Sequence, residues 1–207
     1  MSEADQVSRR ELLRNLGISA ALATSGAGLV TLEAAQHAHD AVAENKRAAA
    51  KGEYMPKCFT AHEFHTLRRL SDLIIPADDH SPGALEAGAA EWIDYMASNS
   101  AELAQIFTGG LGWLDHHMQR QHGADFTDAK PADQTSLLDV IAYRKNETPE
   151  NAEGIRFFIW VRNLVTDAYY TSPIGVKDLG YMGNTAMSEF HVPEAALQYA
   201  LKRSPFA

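Results

Sequence analysis

The sequence predicts an all-α protein: a single small helical domain of about five to six helices with a long irregular C-terminal loop, set behind an N-terminal leader. Three observations predict this. Beyond the leader, apolar residues recur at helical spacing, and no stretch alternates apolar with polar in the manner of a half-buried strand. Helix starts and stops are marked by local signals, among them Thr60 with Glu63, Pro76 and Pro131. The composition, 45% hydrophobic and 22% charged over 207 residues, is that of a globular chain, and no internal repeat is visible.

The leader comes first. Arg9 and Arg10 stand in Ser8-Arg9-Arg10-Glu11-Leu12-Leu13-Arg14, ahead of a stretch, residues 16–32, that carries no charge. This is the pattern of a twin-arginine export signal. The twin-arginine translocon moves chains that have already folded, so the pattern places the protein in the periplasm and points to a cofactor-bearing or multi-subunit assembly. The uncharged stretch is diluted by Gly17, Ser19, Thr24, Ser25, Gly26 and Gly28. A membrane span needs about 20 strongly apolar residues, so this segment suits a signal better than an anchor. Ala41-Val42-Ala43 is the best small-x-small cleavage candidate, with the mature chain starting near Glu44; an uncleaved leader would act as a loose membrane tether. The expected organisation is a signal over residues 1–43, a linker over 44–58 and the helical domain over 59–207.

The helices follow in order. Residues 42–52, rich in Ala and Lys, read as a linker or as a continuation of the leader helix. Thr60 and Glu63 form a capping box for a first helix, whose Phe64, Leu67, Leu70, Leu73 and Ile74 make one stripe and which Pro76 stops. Residues 77–83 are a turn-rich loop. A second helix is expected over 85–98, burying Ala89, Trp92, Ile93 and Met96, and a third over 101–121, weakened around Gly109, Gly110 and Gly112. Pro131 opens a fourth that ends near Lys145. The fifth, over 149–170, is apolar on most sides and is the central helix. From 171 to 190 the pattern lapses into an extended, glycine-punctuated loop that packs either on this domain or on another chain. A short helix over 193–202 closes the chain.

Chemistry is sparse. No dinucleotide-binding glycine motif follows a strand, and there is no Cys-x-x-Cys-His haem attachment site and no nucleophile elbow. Nine histidines are present, but the Glu-x-x-His spacing of a bundle metal site is missing, so His62, His65, His116, His117 and His122 read as surface or interface groups. Asp78, Asp79, Glu86, Glu91 and Asp94 read as solvated charge near a helix start. Cys58, the single cysteine, is either buried or pairs with a partner chain as an intersubunit thiol. Three basic and five acidic residues precede residue 44, which leaves −7 of the formal −9 on the remainder. Such an acidic domain repels phosphate backbones, so nucleic acid is not an expected partner.

Two stretches carry a resemblance. Residues 59–94 (FTAHEFHTLRRLSDLIIPADDHSPGALEAGAAEWID) and residues 169–184 (YYTSPIGVKDLGYMGN) are similar to the opening and the C-terminal signature of the gluconate 2-dehydrogenase subunit 3 family. Between them the match is one of pattern, through Phe107, Gly112, Leu114, Phe126, Gln134 and Leu137. The chain departs from the family after Gly183 and Asn184, where Glu189-Phe190-His191-Val192-Pro193 stands in place of a Phe-Pro-Gly-like ending. The resemblance implies a non-catalytic small subunit of a periplasmic, membrane-associated dehydrogenase complex. Its partners would be a large subunit of the glucose-methanol-choline type, which carries FAD and oxidises a sugar, sugar acid or polyol, and a multihaem cytochrome c subunit holding haem c. The small subunit would assist folding, flavin loading and export of the large one, with no catalytic residue, metal or cofactor of its own. Tyr170, Ile174, Leu179, Tyr181 and Met182 are the candidate partner interface. A stand-alone periplasmic binding or adaptor protein, or a histidine-metal enzyme, are the alternatives that the residues leave open.

Overall fold

The computed structural model describes residues 31–49, 54–181 and 192–204. Among these residues the structure is helical, with no strand, as expected. The elements are α1 (Leu32–Ala48), α2 (Ala61–Ile74), α3 (Ala89–Ser98), α4 (Ala101–His122), α5 (Pro131–Ile141), a 3-10 turn (Arg144–Asn146), α6 (Ala152–Tyr170), α7 (Pro173–Asp178) and α8 (Glu194–Arg203). None of these helices is long and apolar enough to cross a membrane.

Most boundaries follow from local chemistry. The capping box at α2 forms as written: Glu63 N donates to Thr60 Oγ1 at 3.3 Å and Thr60 N to Glu63 Oε2 at 2.9 Å. Ser100 Oγ caps α4, and Gly123, at φ 71°, ends it in the left-handed conformation that costs glycine nothing. The three glycines of α4 leave the helix unbroken. Gly110 is required by packing, because a Cβ there would lie 2.0 Å from the Phe157 ring. α3 starts at Ala89 rather than near Leu85, since Gly88 at φ 75° turns the chain just before it. α5 ends at Ile141, short of Lys145, and the 3-10 turn takes up the residues between.

The centre is shared by two helices. α6 packs against α2, α3, α4, α5 and α7 and buries Ile155, Phe157, Phe158, Val161, Leu164, Val165 and Tyr169, as expected of the central helix. α3 is buried more completely than its single predicted stripe, with every residue from Ala89 to Ala97 out of solvent. It is enclosed by α2, α4 and α6 and, on its remaining side, by α1.

That last contact decides between the two expectations for residues 42–52, linker or continued helix: residues 44–48 are the end of α1, which crosses the expected boundary at Ala43 as one continuous helix. Its Ala35, Ala38 and Val42 are buried against the core, and Trp92 Nε1 donates to Ala35 O at 3.1 Å. Small residues let the α1 backbone come close to α3, which is why this contact carries so weak an apolar signal in sequence. Residues 54–58 are likewise fixed, through Asn45 to Met55 and through Asp94. Arg9 and Arg10 lie outside the described residues.

Candidate partner-binding face

The end of α6 and the short α7 build the face on which the predicted interface residues sit. α6 stops at Tyr170, and Ser172 turns the chain: its Oγ donates to Tyr169 O at 2.6 Å and accepts from Gly175 N at 3.1 Å, capping α7. Pro173 then occupies the first turn. Gly175 is held against the end of α6, where a Cβ would lie 2.1 Å from Tyr169 O. The stretch expected as extended loop therefore begins with a helix, because one capping serine and one proline are enough to set six residues.

Beyond α7 the chain reverses at Gly180, φ 61°, and Tyr181 N donates back to Val176 O at 3.2 Å. This turn presents Leu179 and Tyr181 to solvent at 60% and 61% exposure. Tyr170, at 38%, stands edge-on to the buried Tyr169 with ring centroids 4.9 Å apart. Ile174 is half-buried against this domain's own core. Three of the predicted anchors are thus exposed, Tyr170 at the end of α6 and Leu179 and Tyr181 at the turn, and one is shared with the core. Met182 lies outside the described residues.

The acidic loop over residues 77–83 comes to the same place. Asp78 accepts from the backbone N–H groups of His80 and Ser81, both at 2.8 Å, and these bonds hold its carboxyl below the usual range. Gly83 passes so close to residues 75–77 that a Cβ would meet Ala77 N at 2.5 Å. Tyr169 ties the loop to α6: its hydroxyl donates to Pro82 O at 3.0 Å and shares a 2.8 Å hydrogen bond with Ser81 Oγ. Between loop and α7 lies a cavity of about 280 Å³ lined by His80, Ser81, Pro82, Ile174, Lys177 and Asp178. One part of each stretch that carries the resemblance, the loop over 77–83 and the segment from Tyr169 to Asp178, therefore meets the other in space.

Charged groups beneath this face are unusual. His39 of α1 bonds Thr171 Oγ1 through Nε2 at 3.0 Å, and Thr171 Oγ1 donates to Asp167 O at 2.7 Å. Burial pushes His39 down, against the pull of Asp40. Burial alone pushes the Asp167 carboxyl from 3.8 up to about 6, and its Oδ2 has no hydrogen-bond partner. A carboxyl raised on folding stabilises the fold at low pH, and that contribution is lost as pH rises from the unfolded value through about 6. Burial lowers His39 and His117, which contribute the opposite slope, so the Asp167 part is read as a difference: between about pH 4 and pH 7, stability measured by denaturant titration should fall more, or rise less, in the parent than in Asp167→Asn. An equal slope in the variant would show that Asp167 does not set it.

The histidines separate. His62 Nε2 meets Asp115 Oδ2 at 2.7 Å, a bond that raises the His62 pKa. His117 stacks on Trp113 with centroids 5.0 Å apart, His122 lies 3.5 Å from Asp133, and His65 and His116 are exposed. No three potential metal ligands come together among the described residues. Cys58 is half-buried, and burial, followed by the charges of Asp94 and Glu63, pushes its thiol up and away from the reactive thiolate.

Two carboxylates read as solvated are not. Glu91 is buried with Arg68 at 2.7 Å and Lys46 at 3.5 Å. Asp94 is fully buried and accepts four hydrogen bonds: from Tyr54 Oη at 2.8 Å and from the backbone N–H groups of Lys57, Cys58 and Phe59 at 2.7, 3.1 and 3.0 Å. The available signal was their position, three apart with apolar residues on both sides in AAEWIDYMA.

Comparison with known proteins gives one family. Residues 61–188 match the model of the family described as gluconate 2-dehydrogenase subunit 3, from the first residue of α2 to a point beyond α7. No curated protein and no solved structure gives a match. The matched region is more than half of the chain and contains both converging stretches of the candidate face, while α1 and α8 lie outside it. On that match the chain belongs to the gluconate 2-dehydrogenase subunit 3 family.

Proposed function

We propose that this protein is the non-catalytic small subunit of a periplasmic, FAD-dependent dehydrogenase of the glucose-methanol-choline type, acting on a sugar, sugar acid or polyol. In this reading it binds the catalytic subunit while that subunit folds and takes up flavin, and it carries the pair through the twin-arginine translocon on its own signal. Electrons leave the flavin for a multihaem cytochrome c subunit. The family itself supports the coarser part, a subunit role in a gluconate dehydrogenase complex. One observation supports the partner-binding part of the proposal. The family's two characteristic stretches converge on a face that holds exposed Leu179 and Tyr181 on a rigid turn, beside a cavity sized for an anchoring side chain. Exposed apolar and aromatic groups on a fixed scaffold favour association, because ordering them on binding costs little further entropy.

Export supplies the test. Arg9→Lys combined with Arg10→Lys should leave both this chain and the flavoprotein in the cytoplasm, with dehydrogenase activity largely lost from the periplasmic fraction. A normal periplasmic level of flavoprotein in the double variant would sink the shared-export reading.

A further inference from the structure

We propose that α1 is a permanent helix of the exported protein, so that peptidase processing falls before Thr31 or does not occur, and Ala41-Val42-Ala43 is not a processing site. The inference rests on the proposed export. The uncharged stretch of the leader ends at Leu32, which is already the first residue of α1. The join has no spacer, and Thr31 caps the helix through its side chain, accepting from Ala34 N at 3.3 Å.

α1 is bound to the body along its whole length. Near its start, Ala35 and Ala38 are fully buried and the carbonyl of Ala35 receives the indole N–H of Trp92. In its middle, His39 reaches Thr171, the first residue after α6, at the base of the candidate partner face. Near its end, Lys46 faces the buried Glu91, and Asn45 exchanges two hydrogen bonds with the backbone of Met55, at 2.9 and 3.2 Å. Cutting after Ala43 would leave five helical residues, far below what holds a helix together in water. It would uncover one side of α3, whose residues from Ala89 to Ala97 are all buried, and strand the Trp92 donor. The scissile bond is also protected. A peptidase takes its substrate extended, whereas residues 41–43 lie inside a packed helix, and nicking concentrates in exposed loops instead.

The mass of this chain, measured intact in the complex purified from its producing cells, should correspond to an N-terminus at or before Thr31. A mass that starts anywhere from Leu32 to Ala48, Glu44 above all, would overturn the proposal. Ala43→Leu, at an exposed position of α1, spoils the small-x-small pattern without entering the core. Its mature chain should be cut at the same residue as the parent, and accumulation of a longer form would overturn the inference. Val42→Ala in the full chain should lower the melting temperature by roughly 3–6 °C through the cavity it leaves. An unchanged value would mean that α1 is not part of the stable fold. A chain found only in the cytoplasm would defeat the export reading, and the Val42→Ala comparison, which needs no export, still decides this one.

Discussion

Asp94→Ala is expected to lower the melting temperature of this chain by roughly 10 °C, the largest loss of stability at any polar position. Its carboxylate accepts from Tyr54 Oη and from three successive backbone N–H groups, those of Lys57, Cys58 and Phe59. Alanine would strand the buried donors of Tyr54 and Phe59 and leave those of Lys57 and Cys58, nearer the surface, to water. A stranded buried donor costs about 1–3 kcal/mol, and partial entry of water keeps the total to roughly 3–5 kcal/mol. The segment released is the one that delivers the chain to Thr60, so the start of α2 should loosen with it. Two variants separate the clamp from the cavity. Tyr54→Phe removes one hydrogen bond and should cost about 1 kcal/mol. Asp94→Asn keeps the volume but turns an amide donor towards backbone N–H groups on one side, and should fall between the two. Melting followed by helical circular dichroism reads all three. Asp94→Ala melting within about 2 °C of the parent, less than a single kcal/mol implies, would show that the four bonds contribute little net stability.

The same residue shows where sequence reading stops. α2 and the start of α5 were legible because their signals are local: a capping box in one case, Pro131 at the first turn in the other. The central role of α6 was legible too, since a helix apolar on most faces has to be enclosed. Asp94 was not, because its environment is decided by backbone amides 35–37 positions away, which no local pattern announces. α1 was half legible, since residues 42–52 allow either a linker or a continuing helix, and its packing on α3 was hidden for a different reason. Its buried positions, Ala35, Ala38 and Val42, contribute little hydrophobic signal, and their value lies in letting two backbones approach. α7 hid behind Pro173, Gly175 and Gly180, residues that break longer helices but here open, pack and end a short one. The candidate face was half legible. Its residues stand out as apolar groups among glycines, but the union with residues 77–83 depends on Tyr169, which a sequence shows only as one more aromatic of the central helix.

That union makes the second large effect specific. Leu179→Ala with Tyr181→Ala should weaken binding of the proposed flavoprotein partner by about two to four orders of magnitude while leaving this subunit's own melting unchanged. Both side chains are more than half exposed here, so truncating them removes little from the core. On a partner each would bury most of its surface, worth about 1.5–3 kcal/mol per side chain. The sum of roughly 3–6 kcal/mol corresponds to that range of affinity, and rigid aromatic anchors tend to dominate such interfaces. Ile174→Ala is the informative contrast. Ile174 is half-buried on this domain's own core and also lines the cavity beside Pro82, so its loss should lower both the melting temperature and the affinity. The competing reading is that residues 171–181 serve only to close their own domain. It predicts the opposite for the double variant: early melting, with partner binding lost only through that instability. Capture of the flavoprotein from co-expressing cells, measured beside the melting of each isolated variant, separates the two. Undiminished capture by the double variant would remove Leu179 and Tyr181 from the interface altogether.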